Sequence, residues 1–288
     1  MYSSYESLSR ADLLSSGMTR RGLVAAVATG RLIRARRDRY VWAGVPDDII
    51  RALRVGGRLT CLSLLRLLGV FVFVDTGLHV HIDRGASRLR SAHDRFTPLP
   101  PRKTRGGRLH WIPLVRPHDG TNACVGIVDA LIHAVLCQEP RHAVATIDSA
   151  LHRGLVTFLE LGEVFTALPR RFAVLRALVD ERAESGPETL ARLMARALGY
   201  DVDVQVEIVG VGRVDLLLDG WLIVECDSKG FHASWEQQRK DRERDLLAAR
   251  LGYATFRPTA EQIMYRPDEV LEALRGLRAV HDGCRVGR

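Results

Sequence analysis

Cysteine is scarce and shows no pairing pattern: the 288 residues hold 5, Cys61, Cys124, Cys137, Cys226 and Cys284. An odd number, never in C-x-x-C spacing, argues against a disulfide framework and against a zinc knuckle, and it fits a reducing compartment. Long apolar runs are lacking as well. The longest, Leu67 to Val74, falls far short of the roughly 20 residues a membrane helix needs, so no span is expected. The opening residues Met1-Tyr2-Ser3-Ser4-Tyr5-Glu6 have no basic start followed by an apolar core, so a signal peptide is not expected and the expected location is the cytoplasm. Aromatic residues make up only 6%, yet 47% of the chain is apolar and the mean hydropathy is −0.03, an ordinary globular balance. At this length two or three domains are expected, each able to bury a core.

The net charge of +8 is unevenly placed. Residues 1–45 carry 8 basic and 3 acidic side chains, residues 46–179 carry 18 and 11, and residues 180–288 carry 16 and 20. The first two thirds should attract a polyanion such as DNA, while the last third concentrates carboxylates that could hold a cation. The plainer alternative is a solvated, arginine-rich surface.

Ser9 and Asp12 have the spacing of a capping box, with Leu13 and Leu14 following and Gly17 placed to end the helix. Thr19 starts a second helix through Leu23, Val24 and Val27 to Gly30. Leu32 to Trp42 then reads as two short strands around a turn at Arg37-Asp38. Helix, turn, helix and hairpin within 1–45 describe a winged helix. In it Arg20 and Arg21 would meet DNA at the start of the second helix, and Arg34, Arg36, Arg37 and Arg39 would line the wing. The alternative is a small helical cap with a solvated basic hairpin.

Residues 46–179 read as a mixed α/β domain. Helical patterns fall at 59–68, 126–136, 142–153 and 158–167, and strand-like runs at 71–74 and 78–82. His79 and His81 share a strand face, with no third ligand nearby in sequence, and are expected to face solvent. From Arg84 to Arg108 the chain carries eight basic residues and one acid amid prolines and glycines, so a mobile basic loop is expected over 84–108, gripping phosphates or simply solvated.

The N-terminal unit resembles the winged-helix domain of AbiEi-type antitoxins, the DNA-binding halves of type IV toxin–antitoxin systems. The likeness rests on Leu13-Leu14, Gly30-Arg31-Leu32 and Arg34-Ala35-Arg36-Arg37-Asp38-Arg39-Tyr40. The stretches Leu62 to Val70 and Asp148 to Leu155 look like the domain that follows it in such chains. The resemblance implies DNA binding and a toxin protein as partner. Asp38 stands where related sequences usually place glycine.

The last hundred residues carry the chemistry. Ser185-Gly186-Pro187-Glu188 opens a helix, Val202 to Ile208 alternates as a half-buried strand, and two apolar runs flank Asp219-Gly220 as a hairpin. A charged helix from Ser234 and Gln237 to Gly252, a strand over 253–257 and a helix from about Pro267 to Val280 complete the order αβββαβα. Asp215 lies in one strand of the hairpin, and Glu225 and Asp227 lie on one face of the next. A two-residue turn would set Asp215 opposite Val224, on the wrong face. A three-residue loop with Gly220 left-handed brings Asp215 level with Glu225. Like charges opposed at about 5 Å repel unless a cation lies between them, so this pattern predicts a site for Mg²⁺ or Mn²⁺ on hard oxygen ligands. Lys229 could orient the attacking water or contact the phosphate. Glu188 could complete the cluster or serve only as the cap partner of Ser185. His232 reads as a loop residue, and Arg239 to Asp245 as a solvated helix face.

This region resembles the PD-(D/E)XK nuclease superfamily, in its branch related to very-short-patch-repair endonucleases. The carrying residues are Glu188, Gln205, Val214-Asp215, Glu225-Cys226-Asp227 and the helix Asp241-Arg242-Glu243-Arg244-Asp245 leading to Gly252-Tyr253. The resemblance implies a restriction-endonuclease-like domain with a mixed central sheet, and metal-dependent DNA cleavage in which Asp215, Glu225 and Asp227 bind the metal while Glu188 and Lys229 assist. Asp227 occupies the superfamily's usual lysine position. The expected protein is thus multidomain α/β: a winged helix (1–45), a mixed α/β domain (46–179) and an endonuclease-like domain (180–288). The alternative is a DNA-binding repressor or antitoxin whose C-terminal domain does not cut.

Overall fold

Ser9 and Asp12 satisfy each other's backbone at the start of α1 (Arg10–Ser15): the Asp12 N–H donates to Ser9 Oγ at 3.0 Å, and the Ser9 N–H to Asp12 Oδ2 at 2.8 Å. That reciprocal cap is the one the spacing predicts. Gly17 follows in the left-handed conformation, and Thr19 caps α2 (Arg20–Ala28) through the Gly22 N–H. β1 (Leu32–Arg36) and β2 (Arg39–Trp42) form an antiparallel hairpin. Leu13, Leu23, Ala26, Leu32 and Tyr40 make the core shared by the two helices and the hairpin. Asp38, at the hairpin turn, has φ 57°, which Asp tolerates better than most residues, and its Oδ1 accepts the Arg10 N–H at 2.7 Å.

The computed structural model describes residues 5–74, 77–226 and 235–286. Contacts divide the mixed α/β chain into two units, Met1–Glu139 with Leu155–Ala173, and Pro140–Gly154 with Val174–Arg288. The sequence boundaries drawn after 45 and 179 thus run differently from the contacts: the helical hairpin module shares a unit with most of the middle stretch, and Pro140–Gly154 joins the C-terminal unit.

In the first unit α3 (Asp47–Val55), β3 (Arg58–Leu59), α4 (Cys61–Leu67), β4 (Leu78–His81), β5 (Gly107–His110) and α5 (Ile127–Val135) follow the hairpin. α3, absent from the sequence reading, ends at Gly56, whose φ of 108° only glycine adopts readily. The three strands order β3-β4-β5, antiparallel then parallel. β4 is central, α3 and α4 pack against it, and all four of its residues are buried. His79 and His81 are therefore interior, correcting the expectation that they face solvent; one strand face is turned outward only when the sheet is covered on one side, and this one is not. The run 71–74 expected as a strand is irregular. The basic stretch 84–108 is also no free loop. The Arg90 N–H donates to the Val55 carbonyl, Ser91 and Thr97 bond across a turn closed by Asp94, and Ser91 and Ala92 are buried.

In the second unit α6 (Pro140–His152) packs on a helix further along the chain. In chain order α7 (Phe158–Ala167), which belongs to the first unit, and a 3-10 helix (Arg170–Leu178) come before that helix. That later helix is α8 (Gly186–Ala197), and Asp148 of α6 meets Arg192 of α8 in a fully buried ion pair at 2.7 Å. Then come β6 (Val202–Ile208), β7 (Gly212–Leu218), β8 (Leu222–Val224), α9 (Trp235–Arg250), β9 (Ala254–Phe256), α10 (Ala260–Tyr265) and α11 (Pro267–Val286). The sheet order β6-β7-β8-β9 is antiparallel except for the parallel pair β8/β9, so the sheet is mixed. The expected order of helices and strands is present with one addition, α10, closed by a Thr259–Gln262 capping box. The expected helix-starting residue Ser234 lies outside the described residues. No described helix is long and apolar enough to cross a membrane.

Candidate functional site

The loop joining β7 and β8 decides whether the hairpin carboxylates can meet. Leu218 pairs with Leu222, Leu217 with Ile223 and Leu216 with Val224, leaving three loop residues, Asp219, Gly220 and Trp221. Asp219 and Gly220 both take positive φ, 47° and 71°, and the Asp219 side chain anchors the loop by accepting the Asp201 N–H at 2.8 Å. Carried one residue further, this register sets Asp215 level with Glu225, the odd-loop arrangement that a shared site requires. By the two-residue period both lie on the face that carries Leu217 and Ile223, which pack with Ala248 of α9.

Each carboxylate is held by a separate device. Asp215 Oδ2 accepts the Cys226 N–H at 2.8 Å. Glu188 is buried in the first turn of α8, where its Oε2 accepts the Glu184 N–H at 2.9 Å and the Gln205 side-chain amide at 3.0 Å. Its backbone N–H meanwhile donates to Ser185 Oγ, so the cap contact and the inward-facing carboxylate coexist. Gln205 stands in β6 with φ 54°, a left-handed residue within a strand. Glu225 Oε1 accepts from Arg244 of α9 at 2.8 Å, and the same guanidinium donates to the Val211 and Arg213 carbonyls. Arg244 corrects the reading of 239–245 as a solvated face: Asp241, Arg244 and Asp245 are half-buried, and Asp245 accepts from Arg257 at 2.6 Å.

The electrostatics tie the three acids together. Burial raises the Glu188, Asp215 and Glu225 carboxyls above their ordinary range; the Asp215 charge adds to the shift of both Glu188 and Glu225, while Arg244 opposes the shift of Glu225. The buried Cys226 thiol is pushed far up, first by burial and then by Asp215, Glu188 and Glu225. All three therefore project negative potential onto one spot, which favours a cation. Among the described residues they do not close into a ready-made cage; the one group of His, Cys, Asp or Glu whose ligand atoms all approach within 4.8 Å lies in the first unit and contains Cys61, His79, His110 and Cys137. Asp227, Lys229 and His232 lie outside the described residues.

In the first unit Arg20 and Arg21 are exposed in the first turn of α2, and Arg37 and Arg39 are exposed on the hairpin. Arg36, Arg37 and Arg39 line one cleft of about 610 Å³ together with Arg58 and Asn122. Burial, with Arg90 and Arg39 close by, lowers the Arg36 pKa, a mark of crowded positive charge. Arg34 does not line the cleft; its guanidinium lies 5.9 Å from the Tyr40 ring centroid. Arg20 and Arg21 do not line it either.

Set beside known protein families and curated proteins, the chain matches none.

Proposed function

We propose that the second unit is a metal-dependent DNA endonuclease of the PD-(D/E)XK kind, hydrolysing phosphodiester bonds, and that the N-terminal helices and hairpin of the first unit bind DNA as an antitoxin-like winged helix. The observation that carries the nuclease reading is the level placement of Asp215 and Glu225, two half-buried acids with raised pKa, beside buried Glu188.

Asp215 and Glu225 would hold Mg²⁺ or Mn²⁺, with Asp227 completing the set as the family resemblance implies. A divalent cation bound there supplies Lewis acidity and a more acidic water for attack on the phosphodiester. The chain's own contribution is positioning. The Cys226 N–H holds Asp215 Oδ2, Gln205 aims Glu188 and also bonds to Asp215, and Arg244 holds Glu225 in register. Lys229 is assigned, by resemblance alone, to the scissile phosphate or the water. DNA phosphates would meet Arg20 and Arg21 at α2 and Arg34, Arg36, Arg37 and Arg39 on the hairpin.

The test is incubation of the purified full chain with supercoiled plasmid and Mg²⁺ or Mn²⁺, beside an Asp215→Ala variant of matched folding. Nicking by the wild type alone is expected. Equal inertness of the two, with DNA binding intact, would establish the second reading, a non-catalytic repressor or antitoxin of a type IV toxin–antitoxin system, which the basic cleft at the hairpin favours. DNA affinity should fall steeply with salt and weaken in Arg20→Ala and Arg37→Ala; indifference to both would remove the winged-helix role.

A further inference from the structure

The sheet of the first unit carries a set of side chains that the proposed nuclease chemistry leaves unused. Cys61 opens α4, His79 lies in β4, His110 ends β5, and Cys137 follows the last turn of α5. Their ligand atoms all lie within 4.8 Å of one another. His79 Nδ1 and His110 Nε2 are 3.1 Å apart, and Cys137 Sγ is 3.9 Å from the same His110 nitrogen. Cys61, His79 and His110 are buried and Cys137 is half-buried.

Two thiols and two imidazoles converging in an interior form the donor set of a closed tetrahedral zinc site. With bond lengths of about 2.3 Å to sulfur and 2.0–2.1 Å to nitrogen, tetrahedral geometry puts the two nitrogens about 3.3 Å apart and a nitrogen and a sulfur about 3.6 Å apart. The two observed separations lie within a few tenths of an ångström of these values. Soft sulfur with imidazole excludes Mg²⁺ and Ca²⁺ as the intended ion. Four protein ligands leave no position for water, so the site is structural.

The backbone around it is built to hold the ligands. The Thr60 N–H donates to the His79 carbonyl at 3.1 Å, and Ser63 Oγ accepts the His79 N–H at 2.9 Å while donating to the Gly77 carbonyl, so α4 and β4 are joined on both sides of Cys61. Cys61 itself sits at φ 54°, a conformation a cysteine adopts only where its surroundings impose it. Behind the ligands, the His133 ring stacks on His110 with centroids 4.6 Å apart, and His133 Nδ1 lies 2.8 Å from Thr60 Oγ1. The ring packed against His110 is thus itself held by a hydrogen bond.

We propose that Cys61, His79, His110 and Cys137 bind one Zn²⁺, which ties α4, β4, β5 and the end of α5 together. The site is independent of the carboxylates of the second unit. Its ligands are separated by 17, 30 and 26 intervening residues, so no knuckle spacing announces them and only the folded sheet gathers them.

The test uses the full chain, purified under reducing conditions without chelator. Elemental analysis should find one zinc per chain. Exchange into Co²⁺ should give the visible absorption of tetrahedral cobalt together with near-ultraviolet sulfur-to-cobalt charge transfer. Cys137→Ser and His110→Gln should lose the zinc and the charge-transfer band, whereas Asp215→Ala should keep both, which separates this site from the carboxylates. Chelator removal of zinc should lower the melting midpoint by about 10 °C or more. A wild-type chain that is zinc-free and gives no charge-transfer band with Co²⁺ overturns the proposal without any need for a folded variant. So does zinc retained in both ligand variants, or a Cys61–Cys137 disulfide recovered in place of the metal.

Discussion

Arg244 Nη2 reaches Glu225 at 2.8 Å and also donates to the Arg213 carbonyl while Nε donates to the Val211 carbonyl, so one guanidinium from α9 spans the β6–β7 turn, β7 and the end of β8. Arg244→Ala leaves a half-buried carboxylate and two carbonyls short of a donor. We expect a loss of about 1–3 kcal/mol, read as a lower urea midpoint at an unchanged slope. Arg244→Lys should recover only part, because an ammonium cannot span three acceptors from one plane. A wild-type midpoint in the Ala variant would show that Glu225 is anchored by other means.

The three raised carboxyls give the second unit a characteristic pH response. A carboxylate whose folded pKa exceeds its unfolded value binds more protons in the native state, so its contribution is fully present below the unfolded pKa and is lost as pH rises through the folded one. Glu188, Asp215 and Glu225 all shift upward. From about pH 4 toward neutrality the wild type should therefore lose stability relative to Asp215→Asn, and the gap should close on addition of Mn²⁺ at pH 7.5. Thermal melts of both proteins across that range provide the measurement; parallel curves would dissociate Asp215 from the strain of the cluster.

Much of this fold is legible locally. The Ser9–Asp12 box, the Thr19 cap, the hairpin turn at Asp38 and the alternating strand 202–208 are all set by residues within a few positions of one another, and each stands where the spacing puts it. The odd loop at Asp219-Gly220-Trp221 is legible only as one of two alternatives, because Leu216 to Leu218 and Leu222 to Val224 are buried on both faces and offer no alternation to choose the register. What escapes is decided by neighbours distant in sequence. His79 and His81 alternate with apolar residues like a half-exposed strand, but β4 is central and covered. Arg244 reads as one charge among many until the β7 and β8 ends arrive beside α9. The pairing of α6 with α8 through Asp148 and Arg192 spans 44 residues and has no local signal at all.

Asp38 offers a local test at the hairpin. Its φ of 57° suits glycine, yet its carboxylate also accepts the Arg10 N–H at 2.7 Å, linking the turn to the first residue of α1. Asp38→Ala suffers both the left-handed backbone and the lost bond, and should cost about 1–2 kcal/mol. Asp38→Gly loses only the bond and should be the more stable of the two. Asp38→Asn keeps an oxygen acceptor and tolerance of positive φ and should lie closest to wild type. Chemical denaturation orders the three; an Ala variant equal to Gly would mean the turn relaxes out of the left-handed region.

The Asp148–Arg192 pair makes the sharpest stability prediction, because both side chains are buried. Arg192 is 0% exposed, and among the described residues its Nε and Nη1 have no hydrogen-bond partner, so Asp148 is the acid it is paired with directly, while Asp180 also feels its charge. Asp148 also accepts from Thr189 Oγ1 and the Asp180 N–H, both at 2.8 Å, yet burial outweighs these donors and Arg192 and pushes its pKa up to about 6. Asp148→Ala strands a buried cation and should cost about 3–5 kcal/mol, with the deficit growing from pH 8 toward pH 5, because the folded wild type gains a proton on Asp148 there and the variant does not. Arg192→Met strands the acid instead, and the acid has an escape that the guanidinium lacks: it takes up a proton. Without Arg192 the Asp148 pKa rises further, so the deficit of Arg192→Met should be large at pH 8 and shrink toward pH 5, as the folded state gains the proton that the unfolded chain does not bind. The double variant Asp148→Asn, Arg192→Met should recover most of either single loss. Urea midpoints of the four proteins at pH 5 and pH 8 decide the matter, and a pH-independent deficit in Arg192→Met would show that Asp148 finds another cation.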